Sequence, residues 1–124
     1  MPGEIKRATR VAERLREELA FLLSREVKDP RIKDVLVSRV EMPDDLKMAR
    51  VQVRLLHGGA NELRRKEALA GLARAASMIR REVAKRMSLR FAPELRFYYD
   101  EGQDKVERIE QLLHEVKAEE KARG

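Results

Sequence analysis

The sequence predicts an α+β fold in the order α-β-β-α-α-β, with helices packed on a three-stranded mixed sheet and a further helix at the C-terminus. Three observations predict it. Apolar residues recur at steps of three and four in two long segments, the spacing of one helix face. Between and after these segments lie runs with a period of two, the spacing of half-buried strands. The connections differ in length. A few residues join the first two strands, which makes them an antiparallel hairpin, whereas a long helical segment separates the second strand from the third and allows them to run parallel.

Taken in order, residues 1–4 form a short start containing Pro2 and Gly3. The first helix follows, with Ala8, Val11, Ala12, Leu15, Leu19, Leu22 and Leu23 as its apolar stripe. Arg14 and Glu18 stand at i,i+4 outside that stripe, and Asp29-Pro30 stops the helix. Val35 to Met42 is rich in β-branched residues but alternates imperfectly, which predicts a bulge or burial on both faces. Pro43-Asp44-Asp45 is the turn. Ala49, Val51, Val53 and Leu55 then alternate with Arg50, Gln52 and Arg54, giving a strand with one apolar and one basic face.

Gly58-Gly59 ends that strand, and Asn61 is placed to cap the next helix. Between Glu62 and Met87 the helical phase slips. Leu63 falls on the side of Arg74, Arg81 and Lys85, and Arg65 falls on the side of Leu72, Ala76, Ile79, Val83 and Met87. A straight helix would bury an arginine and expose a leucine, so a kink near Ala75-Ala76-Ser77 is expected, with two helices meeting there; fraying of the first turn is the alternative. Pro93 opens the last strand, in which Leu95, Phe97 and Tyr99 alternate with Arg96 and Tyr98. At least two of the three aromatic residues are expected in the core. Val106, Ile109, Leu112, Leu113 and Val116 keep helical spacing, and the charged end, KAEEKARG, is expected to be unstructured. The domain division is therefore residues 1–101 as the body and 102–124 as a C-terminal helix with a flexible charged tail.

Composition narrows the function. The chain has 124 residues, enough for one modest core. Lys and Arg number 28 against 22 Asp and Glu, a net charge of +6 and a pI near 9.9. Such a balance suits a nucleic-acid partner and is also compatible with an anionic surface or with solubility alone. There are no cysteines, which excludes disulfides and thiolate metal sites. No apolar run approaches the ~20 residues of a membrane span, and the start, MPGEIKRATR, lacks the apolar centre of a signal peptide. The expectation is a cytoplasmic monomer without a membrane partner.

No constellation supports catalysis. His57 and His114 are the only histidines and sit in no metal-ligand spacing. No serine lies in a nucleophile elbow, and Gly58-Gly59 is not followed by the GK[ST] of a phosphate loop. No enzyme activity, metal, cofactor or small-molecule substrate is expected. The strongest feature is the basic side of the middle helices. Arg74, Arg81 and Lys85 lie opposite the apolar stripe, with Arg80, Arg86 and Arg90 on its flanks. A solvated helix face is the ordinary reading of such a run. The functional reading is a polyanion that relieves the like-charge repulsion.

The order of elements is similar to the type II KH domain, and specific words sharpen the likeness. Arg10-Val11-Ala12 and Arg25-Glu26-Val27-Lys28-Asp29-Pro30-Arg31-Ile32 resemble the first helix and exit turn of the ribosome-binding factor A family. Val40-Glu41-Met42, Asp45-Leu46 and Ala49-Arg50-Val51-Gln52-Val53 resemble its hairpin. Ile79-Arg80, Leu89-Arg90 and Pro93-Glu94-Leu95-Arg96-Phe97-Tyr98-Tyr99-Asp100 resemble its second helix pair and last strand, and Arg108-Ile109 with Leu112-Leu113 its C-terminal helix. The resemblance spans roughly Arg7 to Val116.

It implies a bacterial, non-catalytic assembly factor. Such a factor binds the free 30S small ribosomal subunit, assists late maturation of 16S rRNA including 5′-end processing, and supports growth in the cold. It leaves before translation with help from a GTPase. On this reading Arg74, Arg80, Arg81, Lys85, Arg86 and Arg90, seconded by Lys28, Arg31, Arg50 and Arg54, contact rRNA phosphates, which gives affinity and register but no base readout. One departure is plain. KH domains clamp single strands with a GxxG loop, and this family has an Ala-x-Gly kink there. Here the position reads Ala75-Ala76-Ser77, without glycine. The alternatives are a general KH-type single-stranded RNA-binding protein and a protein-interaction module that works through the last helix. An enzyme for acidic substrates is more distant.

Overall fold

A computed structural model describes residues 6–123. Helix α1 (Arg7–Arg25) leads through a 3-10 turn (Pro30–Ile32) into strands β1 (Val35–Glu41) and β2 (Met48–Leu55). Helix α2 (Glu62–Met87) crosses to β3 (Glu94–Tyr99), and α3 (Glu101–Arg123) follows directly. The sheet order is β1-β2-β3, with β1 antiparallel and β3 parallel to β2. The expected order of elements is met, with the two middle helices joined end to end.

Local chemistry accounts for the element boundaries. The Asn61 side chain accepts the Arg64 N–H at 3.1 Å and starts α2 as expected. Helix α1 ends at Arg25, short of Asp29-Pro30, because Val27 turns inward to pack on the core. Asp29 instead caps the 3-10 turn by accepting the Arg31 N–H at 2.9 Å. The irregular alternation of β1 is a bulge at Ser38, where the register shifts between Val37 and Arg39. The Ser38 hydroxyl donates to the Gln52 carbonyl at 3.1 Å and lies 2.8 Å from the Asp100 carboxylate, which ties the bulge to the end of β3.

Both helices pack on one face of the sheet. Leu15, Leu19 and Leu22 of α1, Val51 and Val53 of β2, and Leu72, Ile79 and Val83 of α2 are wholly buried together with Ile32. Full burial of each such side chain contributes about 1.5–3 kcal/mol. Gly71 lets α2 approach the 3-10 turn, since a Cβ there would lie 2.9 Å from the buried Ile32 Cγ2. Phe97 and Tyr99 pack partly buried against the core, and Tyr98 faces outward, 40% exposed.

Two expectations are corrected. First, the helix does not break at Ala75, Ala76 and Ser77, and α2 is helical through all three. The phase conflict is absorbed by side chains. Leu63 is left 66% exposed. Arg65 lies over the Tyr99 ring, 5.1 Å from its centroid, with Nη1 3.4 Å from Glu101 Oε1. An arginine with an aromatic ring beneath it and a carboxylate at its tip can occupy the edge of a core. Second, the tail expected to be unstructured is helical to Arg123. Its Ala, Glu and Lys residues are strong helix formers. Among the described side chains of α3, Ile109, Leu112, Leu113 and Val116 stay exposed.

Candidate nucleic-acid interface

The basic residues singled out by the sequence fall into three places. The first is the outer ridge of α2. Arg74, Arg81 and Lys85 are exposed on the side away from Leu72, Ile79 and Val83. The helical rise separates Arg74 from Arg81 by about 10 Å along the axis and Arg81 from Lys85 by about 6 Å. Among the described residues Arg74 and Arg81 make no hydrogen bond or ion pair. Lys85 approaches Glu82 at 3.7 Å with its side chain 75% exposed, a pair of little energetic weight. At one end the ridge meets the 3-10 turn, where Arg31 is half-buried and the exposed Lys28 stands nearby in sequence.

Arg31 is engaged within the fold. Its Nε and Nη2 donate to the Asp29 carboxylate, the latter at 2.6 Å, and its carbonyl accepts from Arg64 Nη1 at 2.8 Å. The Arg31 guanidinium and backbone N–H lower the Asp29 pKa to about 2, with the positive charge of Arg74 assisting. The site therefore keeps its carboxylate ionised, and Arg31 offers a partly neutralised charge.

The second place is inside the seams of the fold. Arg80 donates from Nε to the Pro93 carbonyl at 2.9 Å and from Nη2 to the Ala92 carbonyl at 3.2 Å. Arg86 donates to Glu18 of α1 and lies over the Phe21 ring, 4.2 Å from its centroid. Glu18 also accepts from Arg14 at 3.1 Å, the i,i+4 pair that the sequence predicts. The Arg86 hydrogen bond is the largest influence holding the Glu18 carboxyl below its ordinary range. Arg80 and Arg86 thus join α2 to the β3 connection and to α1, and only part of their charge faces outward.

The third place is the open face of the sheet, opposite the helices. Arg50 and Arg54 lie there with Gln52, and Arg50 sits over the Tyr98 ring at 5.1 Å. The same face carries Arg39 and Arg96, paired to Glu41 at 3.6 Å and Glu94 at 3.1 Å. Arg50 and Arg54 are therefore separated by the sheet from the α2 ridge, and one flat surface cannot touch both groups. Arg90 belongs to none of the three. It lies beyond the helix end, beside Phe91. Sequence reasoning misses Phe91, Arg7 and Lys47 there. The available signal is an aromatic residue flanked by a cation just after a helix terminus.

Among the described residues no group of three His, Asp or Glu side chains is placed to hold a metal ion, and no helix is long and apolar enough to cross a membrane. What the arrangement can do chemically is bind anions along a rigid helix.

Comparison with known proteins gives the family. A ribosome-binding factor A from Sorangium cellulosum (strain So ce56) is 56% identical over 117 residues, which cover 94% of each chain. The solution structure of a putative ribosome binding factor A from Thermotoga maritima superposes with a TM-score of 0.61 at 30% identity, over 79% of this chain and 91% of that one. A homology model of the Thermus thermophilus factor, fitted into a cryo-EM map of its complex with 30S, gives a TM-score of 0.52 at 27% identity, over 68% and 90%. The sequence model of the family Ribosome-binding factor A matches residues 7–113. With the family model, the relatives and the fold in agreement, the chain belongs to the ribosome-binding factor A family.

Proposed function

We propose that this protein is a non-catalytic assembly factor that binds the free 30S subunit and assists late maturation of 16S rRNA, including processing at the 5′ end. The outer ridge of α2, Arg74, Arg81 and Lys85, makes the principal phosphate contacts, with Arg90, Lys28 and Arg31 at its ends. Arg80 and Arg86 act mainly by fixing α2 in place. Arg50 and Arg54 contact a different strand or none. The protein works in the cytoplasm as a monomer, in keeping with a role that matters most in the cold, and a GTPase assists its release.

The observation that carries this reading is the pair Arg74 and Arg81, exposed along one helix and without a hydrogen bond or ion pair among the described residues. Family membership and the 30S complex of the Thermus thermophilus relative support it. The alternative, a general KH-type single-stranded RNA binder, needs a loop that clamps four nucleotides. The unbroken helix through Ala75, Ala76 and Ser77 supplies no such loop.

Sedimentation of the purified protein with separated small subunits, large subunits and joined ribosomes tests the reading. Binding confined to free small subunits, and far tighter than binding to short unstructured RNA, is expected. Equal binding to all three particles, or binding to short RNA as tight as to subunits, would favour the general binder.

A further inference from the structure

A cleft of about 400 Å³ lies where the N-terminal end of α1, the β1–β2 turn and the α2–β3 connection meet. Val11, Met42 and Leu89 give it apolar walls, and Arg7, Lys47 and Arg90 stand at its rim with Asp45 as the acid among them. Phe91 also lines it and is 78% exposed, the most exposed of the large hydrophobic side chains described. An exposed ring set among cations at the mouth of an apolar cleft is a surface on which a flat, anionic ligand can stack.

The loop itself holds the ring out. Helix α2 closes with Ser88 in the left-handed region, φ 52°, and with the Leu89 N–H bonded to the Ala84 carbonyl at 3.0 Å. At the other end of the loop, Arg80 grips the carbonyls of Ala92 and Pro93. The Glu94 N–H donates to the Lys47 carbonyl at 2.9 Å and joins the loop to the hairpin turn. Phe91 is thus displayed from a segment fixed on both sides, which lowers the entropy lost on binding. The start of α1 adds a positive helix end, since its capping residue Lys6 makes no side-chain hydrogen bond there and the first turn has no acid.

We propose that this cleft takes one unpaired nucleotide of single-stranded RNA, with its base stacked on Phe91 and its phosphates held by Arg7 and Lys47. The inference rests on RNA being the partner, as proposed above, and adds a base-dependent site just beyond the C-terminal end of the α2 ridge, where Arg90 stands. Arg90 lies over the Phe91 ring at 5.5 Å from its centroid, and the 78% exposure of the ring leaves room for a base to stack. Three rim cations against one carboxylate favour a polyanion over an apolar peptide. A base paired within a duplex has its faces covered by its stacked neighbours and is not free to stack on Phe91, so the ligand is single-stranded.

The chain has no tryptophan, so a Phe91→Trp variant carries a single reporter. The full-length variant is titrated with short oligoadenylate, with an abasic ribose-phosphate oligomer of the same length, and with a duplex. Quenching by oligoadenylate alone is expected. Phe91→Ala should weaken oligoadenylate binding by about tenfold and leave abasic binding and the thermal midpoint unchanged. Phe91→Leu should not restore affinity. Equal response to abasic and base-bearing oligomers, or restoration by leucine, would overturn the proposal, and the latter would point to an apolar protein side chain as the occupant. Subunit sedimentation of the parent protein, run in parallel, reports separately on the assembly-factor reading.

Discussion

Arg80 and Arg81 are adjacent in sequence and identical in chemistry, yet the helix gives them opposite work. Arg80 faces the α2–β3 connection and satisfies two backbone carbonyls, and Arg81 faces outward with no partner among the described residues. Arg86 and Lys85 repeat the contrast one turn later. Arg86 is engaged by Glu18 and the Phe21 ring, and Lys85 has only a loose approach to Glu82. A run of basic residues on a helix is therefore two populations. One half builds the domain, and the other half is available to a polyanion. The 100° step between neighbours decides which is which.

The largest expected effect separates the two populations by stability. Arg80→Ala strands the Pro93 and Ala92 carbonyls and removes charge-assisted hydrogen bonds. It should cost about 2 kcal/mol, a fall in Tm of roughly 6–10 °C. Arg81→Ala should stay within about 0.5 kcal/mol of the parent. Thermal melts followed by circular dichroism measure both, and equal losses would erase the distinction. Arg86→Ala should fall between the two.

Much of this architecture is legible in the sequence because it rests on local periodicity. The period of two in Ala49–Leu55, the capping Asn61 and the bulge implied by the uneven β1 pattern all depend on near neighbours. The continuity of α2 is not legible in that way. The slip between Leu63 and Arg65 looks like a break until Tyr99 and Glu101, more than thirty residues on, are seen to accommodate Arg65. The same holds for the site. Which cations exist can be read directly, but which are free depends on Glu18, Ala92 and Pro93, placed opposite α2 only by the tertiary fold. Phe91 escapes notice because its only mark is a single aromatic residue beside Arg90 just after a helix end, too little to form a periodic pattern.

A pH experiment sharpens the comparison at Arg31, which belongs to the engaged population. The Asp29 carboxyl, at about 2 in the fold, would titrate near 3.9 in the unfolded chain. Its folded value is the lower one. Its contribution to stability is thus complete above about pH 4 and is lost as pH falls toward 2. Asp29→Asn keeps the acceptor for the Arg31 N–H and removes the charge. The variant should melt below the parent at pH 6, and the gap should close by about pH 2. A gap that persists unchanged into acid would mean that the charge is not what holds Arg31.

The smallest effect concerns the helix itself. Leu63 lies on the same side as Arg74 and Arg81 and is 66% exposed, so Leu63→Gln should change stability by no more than about 0.5 kcal/mol. A loss of about 2 kcal/mol or more, the scale of a buried leucine, would show that α2 bends to bury it.

The central claim is that the outward cations of α2 meet phosphates. It is tested most directly by the salt dependence of binding to isolated small subunits, compared between the parent and an Arg81→Ala, Lys85→Ala double variant. The slope of log affinity against log salt should flatten by about 0.7 to 0.9 for each phosphate left without its cation, with Tm essentially unchanged. Identical slopes and affinities for the two proteins, at every salt concentration, would contradict it.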